Sequence, residues 1–575
     1  MENFELNYSL EELKKRTHKD YLATKKMLDV DAPEYLNLAD GDKKALKNLV
    51  KAAFFIEKIY YKLDNKQNTD FYDYLEKEIL KGNERAELTK ILFLAQKGMC
   101  AIDRESVKIN LAKGITELPG KGLYPEDLTK AEFHKILIKM LNEGKKDEVR
   151  KILNQRSVVL RKEDELEAID YVKFFNEDFR KAAEKLELAA DTSTNDEFNE
   201  YLRLQAVALR EADPMLDAYA DKKWAELQDT PLEFTITREN YADEMTESVI
   251  ENEDLKKLLE ENDIPVISKD FLGARVGIVN KDGTNALLKI KEFLPLLAAN
   301  MPYHEEYEQN ISKTDDAKQT MVDVDIVVLA GDVGAYRAGI TLAENLPNDD
   351  KLSLTIGGGR RNVYHRQIRF ISDREKLQRR LDATLDKDQH KYYLDEADHW
   401  FTIGHENTHS LGPNKGTEAL GKYKSIIEEN KADMGALAFL DILEEKGMYS
   451  HEQVLQIIVS FAADNFLKSK PTLSQAHRVR TVMQTKYFIE HGAIVLNEEN
   501  KIHVNIEKMI PTAKKMLEEI IRIQIDGDFQ KGEKYVLDNF VWTDEMEIIS
   551  QKLKEIDKNL NGRTESPLAA MLLKS

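Results

Sequence analysis

A chain of 575 residues and 66.2 kDa exceeds what one compact core organises, so two or more lobes are expected. With 42% hydrophobic and 33% charged residues and only 13 prolines, the composition excludes a disordered or collagen-like chain and fits a helix-rich globular one. The formal net charge of −21 excludes non-specific association with nucleic acid, and a single cysteine, Cys100, excludes an intrachain disulfide and a cysteine-based zinc centre.

The amino-terminal stretch Met1-Glu2-Asn3-Phe4-Glu5 is acidic and lacks a basic segment followed by an apolar one, and no apolar run approaches membrane-spanning length. A cytoplasmic protein without a membrane partner is the expectation. From 9 to about 143, apolar residues such as Leu46, Leu49, Val50, Ala53, Ile56 and Ile59 recur at helical spacing, and Gly120 to Asp127 reads as a turn. Short strands are expected at 157–160 and 169–173, and helices at 177–190 and 195–210. Residues 232–237 alternate and are rich in β-branched side chains, a strand that ends in the polar run from Arg238 to Glu244. Helices at 254–262 and 284–299 precede an apolar run at 325–330, of the buried-strand type, and a further strand at 362–371. These strands are grouped as one small sheet or barrel. Gly357-Gly358-Gly359 lacks the Lys and Ser/Thr of a phosphate loop and reads as a hairpin loop. Beyond Arg374 the pattern is almost wholly helical.

Within that helical part stands Gly404-His405-Glu406-Asn407-Thr408-His409, ended by Gly412-Pro413. On a helix, His405 and His409 stand one turn apart on one face and can hold one metal ion, with Glu406 beside them. Twenty residues on, Glu429 supplies a third ligand and Asp433 a carboxylate one turn later on the same face. Two neutral imidazoles and one carboxylate suit a zinc ion with an open position for water, whose pKa falls from about 15.7 to roughly 7 when bound. Glu406 is placed to take that water's proton and deliver it to a leaving amine, and Glu428 and Asp433 to accept hydrogen bonds from the distal ring nitrogens of the histidines. Glu418 competes as third ligand but lies in the connecting loop, and His399 is expected at the surface.

Beyond H-E-x-x-H, the segment Glu428-Glu429-Asn430-Lys431-Ala432-Asp433 resembles the E-E-x-x-A-[ED] signature of the dipeptidyl peptidase III family of zinc exopeptidases. Glu239-Asn240-Tyr241-Ala242-Asp243 resembles that family's E-x-Y-x-D. Ala338-Gly339-Ile340 with Asn345-Leu346-Pro347-Asn348 resembles its A-G-I-N-x-P-N, and Ala476-His477 its A-H element. Gly122-Leu123-Tyr124-Pro125 resembles a stretch of the bacterial and plant branch, a subset of which shares the five-residue H-E-x-x-H in place of H-E-x-x-x-H. An insertion separates Ile340 from Asn345, and no Nudix-type glutamate-rich box is present, although some plant relatives carry a fused Nudix domain.

The resemblance implies a mostly helical α+β fold of two lobes around a wide cleft. One lobe, 1–258 and 322–375, would combine helices with a small β-barrel, and the other, 259–321 and 376–575, would be helical and carry one Zn2+ per chain. It implies that His405, His409 and Glu429 bind the metal and that Tyr241 and His477 stabilise the oxyanion. Glu239, Asn345 and Asn348 would receive the free amino end of a peptide substrate. The activity implied is release of dipeptides from the amino end of short oligopeptides. The alternatives are a zinc aminopeptidase or endopeptidase of another cleavage register, and a catalytically idle peptide-binding protein. The oligomeric state is left open between monomer and homodimer.

Overall fold

Leu46, Leu49, Val50, Ala53, Ile56, Ile59 and Leu63 form the buried stripe of a 25-residue helix, α1 (Asp40–Asp64), which packs on α2 (Asn176–Ala190). The structure, a computed structural model, describes residues 4–103, 107–239, 243–309, 320–332, 343–346, 356, 361–366, 373–413, 415–473, 475–559 and 561–575. It is mostly helical with a half-barrel sheet, an α+β fold. Among the described residues, no helix is long and apolar enough to cross a membrane.

Two units divide the chain. The first comprises Met1–Asn280, Lys318–Ile368 and Asn559–Ser575; the second comprises Lys281–Ala317 and Arg369–Lys558. Relative to the expected boundaries, 259–280, 318–321 and 559–575 fall in the first unit and 369–375 in the second. The reason at the carboxyl end is pairing: Asn561–Glu565 lies parallel to Leu22–Lys26, and the helix Pro567–Lys574 buries Leu568 and Leu572 beside α1.

The first unit's sheet has five strands, β1 (Leu232–Glu239), β2 (Phe271–Val279), β3 (Thr320–Gly331), β4 (Ala343–Leu346) and β5 (Arg361–His365), in the spatial order β1-β2-β3-β5-β4. Neighbours are antiparallel except β3 and β5. The sequence reading did not anticipate β2, whose Phe-Leu-Gly-Ala-Arg-Val-Gly-Ile-Val run shows no alternation because nearly all of it is buried. Residues 157–173 do not join this sheet. Ser157–Lys162 and Glu165–Asp170 form a separate hairpin, and Asp170 ends it by accepting the Val172 N–H at 2.7 Å and starting a helical turn over Tyr171–Phe174.

A buried ion pair shows how far the sheet is rolled. Glu233 on β1 and Arg361 on β5, 1% and 2% exposed, meet at 3.0 Å, and Glu233 also accepts Trp224 Nε1–H at 2.6 Å and Thr235 Oγ–H at 2.8 Å. These strands are first and fourth in the sheet, about 14 Å apart if it were flat at about 4.8 Å per strand. The pair thus bridges two intervening strands and braces the half-barrel.

The second unit packs α3 (Ala397–Thr408), α4 (Lys424–Ala438), α5 (Ala476–Glu490) and α6 (Ile506–Asp526) around one core, with a short hairpin, Ile494–Leu496 and Ile502–Val504. α4 is central and contacts the other three. Ile426, Ile427 and every residue from Asn430 to Ala438 are buried, so from Asn430 onward the helix has no solvated face.

Arg361→Met leaves the buried Glu233 carboxylate without its cation and is expected to cost about 3–5 kcal/mol. Calorimetry should show a fall of several degrees in melting temperature, partly restored by adding Glu233→Gln.

Candidate metal centre

α3 stays regular to its end: His409, at φ −57° and ψ −30°, still donates its backbone N–H to the His405 carbonyl at 3.3 Å. The five-residue spacing therefore puts both imidazoles on one face without a distorted turn. The helix ends at Thr408, with His409 as its C-cap, and the chain turns away at Gly412, whose φ of +90° only glycine adopts freely.

α3 and α4 approach closely, a glycine of each lying against a small side chain of the other. A Cβ on Gly404 would stand 3.0 Å from the Ala436 Cβ, and one on Gly435 would stand 2.2 Å from the Thr408 Cγ2. This close approach brings the carboxylates of α4 to the histidines of α3.

The two Nε2 atoms lie 3.2 Å apart, and Glu429 offers its oxygens 3.5 Å from His405 Nε2 and 4.0 Å from His409 Nε2. The three ligand atoms lie within 4.8 Å of one another. Two nitrogens, each 2.0–2.1 Å from a zinc ion at a tetrahedral angle, stand about 3.4 Å apart, so the spacing suits that ion.

Both Nδ1 atoms are committed, His405 to Asp433 at 2.7 Å and His409 to Glu428 at 2.9 Å. A carboxylate accepts only, so in each neutral ring the proton sits on Nδ1 and the Nε2 lone pairs face each other. At 3.2 Å they repel unless a cation or a proton stands between them. Burial pushes His405 down to about 3, which keeps it neutral. Burial also lowers His409, but the hydrogen bond with Glu428 and the charges of Glu429, Glu428 and Glu406 outweigh it and raise the pKa overall.

Charge supports the same reading. Burial opposes ionisation of Glu429, yet His477, His405 and His409 hold it well below the usual carboxylate range; burial likewise opposes Glu428, which Lys431 and His409 lower to about 2. Four carboxylates, Glu406, Glu428, Glu429 and Asp433, surround the rings against two fixed cations, Lys431 and Arg480, a formal −2 that a divalent cation neutralises. The residues present fit a zinc ion.

No family model matches the chain. It is 26% identical over 553 residues to Nudix hydrolase 3 of Arabidopsis thaliana, an alignment covering 85% of this chain and 66% of that protein; the chain thus spans just under two thirds of that relative's length. Among solved structures, DPP III from Caldithrix abyssi superposes with a TM-score of 0.78 at 23% identity, over 97% of this chain and 100% of that one. Dipeptidyl-peptidase III from Corallococcus sp. strain EGB superposes with a TM-score of 0.74 at 21% identity, over 99% of both chains. The fold is that of dipeptidyl peptidase III.

The residues singled out from sequence as resembling dipeptidyl peptidase III fall as follows. His405, His409, Glu428, Glu429 and Asp433 come together as described, and Glu406 is half-buried on α3, close enough for its charge to act on His405, His409 and His477. His477, exposed in the first turn of α5, sets its Nδ1 3.1 Å from a Glu429 oxygen, and that hydrogen bond raises the His477 pKa. Glu239, half-buried, is the last residue of β1, and Asn345 lies in β4 with its backbone opposite Asn362. Tyr241, Asn348, the segment Ala338 to Ile340 and Gly357 to Gly359 lie outside the described residues. Asp243, two residues past Tyr241, is fully buried and accepts from the Tyr124 hydroxyl at 3.0 Å and the Thr246 N–H at 3.1 Å, which ties the Gly122 to Pro125 stretch to the E-x-Y-x-D segment. His399, expected at the surface, is buried.

Four contributors escaped the sequence reading. Arg480 pairs with Asp433, and Gln484 donates to Asp433 and Asn430 at 2.9 Å each; these stand three and seven positions after His477, a helical spacing that could have flagged them. Lys431 lies inside the E-E-N-K-A-D segment itself, 2.8 Å from Glu428. Gln524, on α6, donates to Glu428 at 2.9 Å, and nothing in the sequence marks it.

Gly435→Ala introduces a methyl group 2.2 Å from Thr408 and is expected to cost about 1–3 kcal/mol as α3 and α4 are forced apart. Thermal denaturation should show the loss, and Thr408→Ala in the same chain should recover most of it.

Proposed function

We propose that this protein is a zinc-dependent peptidase that removes dipeptides from the amino end of short oligopeptides. The observation that carries the reading is the set of His405, His409 and Glu429 ligand atoms within 4.8 Å of one another, with both distal imidazole nitrogens held by carboxylates, in a peptidase fold. His405, His409 and Glu429 would hold one zinc ion per chain. When bound, it supplies Lewis-acid polarisation of a carbonyl and of a water molecule.

The chain's own residues do the rest. Asp433 and Glu428 fix the ring orientations of the two histidines through Nδ1. Glu406, one residue after His405 and not a ligand, accepts the attacking water's proton and hands it to the departing amine. His477 and Tyr241 supply hydrogen-bond donors to the developing oxyanion. Glu239, with the amides of Asn345 and Asn348, receives the substrate's ammonium group; a carboxylate in that role measures distance from the amino terminus, which dipeptide release requires. The protein acts in the cytoplasm on this reading, in keeping with its single cysteine.

Hydrolysis of dipeptidyl-arylamide substrates should appear with zinc, vanish with chelator and return on adding zinc; a zinc-loaded chain inactive on every peptide tried would sink the proposal. Glu406→Gln should retain zinc while kcat falls by about 10²–10⁴-fold. Mass spectrometry of the products should show dipeptides, with single amino acids or internal fragments pointing to another cleavage register.

A further inference from the structure

Behind each metal-facing histidine stands the same assembly, a carboxylate held by one cation and one glutamine amide. On the His405 side these are Asp433, Arg480 and Gln484; on the His409 side they are Glu428, Lys431 and Gln524. Lys431 differs from Arg480 in what else it holds. Its ammonium lies 2.8 Å from Glu428 Oε1, the oxygen that also accepts from His409 Nδ1 at 2.9 Å, and it donates to the Leu411 carbonyl at 2.6 Å. Leu411 lies two residues past His409, so a single ammonium fixes both the carboxylate that orients the ring and the turn that carries it. Gly412 keeps space for the lysine stem, since a Cβ there would stand 3.1 Å from Lys431 Cδ.

We infer that Lys431 is a positioning residue for metal binding: it pins Glu428 against His409 Nδ1 and thereby sets how tightly His409 holds zinc. The inference rests on the zinc reading above. Lys431 itself touches none of the three ligand atoms, and at 2% exposure it has no access to solvent. A lysine so buried is stable only with its partners, and Glu428 is the charged one of the two. With Lys431 gone, the Glu428 carboxylate keeps Gln524 on Oε2 and His409 on Oε1 but loses the ammonium that holds Oε1 against the ring. Carboxylates that orient metal-bound histidines typically contribute 10–100-fold to metal affinity, and the lysine acts through this one.

The test is a double-mutant cycle on the full chain, read as the zinc dissociation constant by chelator competition. Lys431→Met and Glu428→Gln should each weaken zinc binding by about 10–100-fold, and the double variant should bind no more weakly than Glu428→Gln alone. Zinc affinity unchanged in Lys431→Met, or losses that multiply in the double variant, would overturn the inference. If Lys431→Met alone does not fold, the double variant, which has no charge to leave unpaired, should fold; its failure to do so would make Lys431 a support of the Leu411 turn and nothing more. A wild-type chain that binds no zinc would instead overturn the zinc reading itself.

Discussion

Two helices held close because a glycine on each lies against a small side chain of the other set the scale of the candidate metal centre. Gly404 against Ala436 and Gly435 against Thr408 hold α3 and α4 near the minimum separation their backbones allow, and Glu428, Glu429 and Asp433 reach His405 and His409 only because of it. At that distance the two Nε2 atoms face each other 3.2 Å apart, and the charge around them is unbalanced until a cation arrives. Packing thus imposes an electrostatic demand that a divalent cation would meet.

The two units share one way of carrying buried charge. In the first, Glu233 and Arg361 are almost completely buried, and Trp224 and Thr235 both donate to the carboxylate oxygen that Arg361 leaves. In the second, Asp433 and Glu428 are each satisfied by an imidazole, a cation and an amide. Buried ions persist where they are paired and hydrogen-bonded, and each of these carboxylates receives three donors on its two oxygens. Their consequences differ: one fixes the curvature of a sheet, the other the direction of two rings.

Much of the candidate site was legible because its residues lie close along the chain. His405 and His409 share one helix, Glu428, Glu429 and Asp433 share the next, and helical spacing alone assigns their faces. What supports them was not legible. Gln524 belongs to a distant helix, and Arg480 and Gln484, although spaced to share a face with His477, reach Asp433 through a contact between helices. In the fold, amphipathic helices such as α1 announced themselves by periodicity, whereas β2 did not, because burial on both faces erases the alternation. The hairpin at 157–170 read correctly as containing strands but was assigned to the wrong sheet, since pairing between distant strands leaves no mark in either sequence.

The parallel pairing of Leu22–Lys26 with Asn561–Glu565 has a consequence for how the chain is made. Arg563 Nε donates to Thr24 Oγ1 across a separation of 539 residues, and the helix that follows covers part of α1. On a ribosome, the amino-terminal segment emerges long before its partner exists. The first unit therefore waits, with one strand edge and an apolar face of α1 open, until the second unit has been synthesised. The unit whose synthesis begins first is thus the last to be completed.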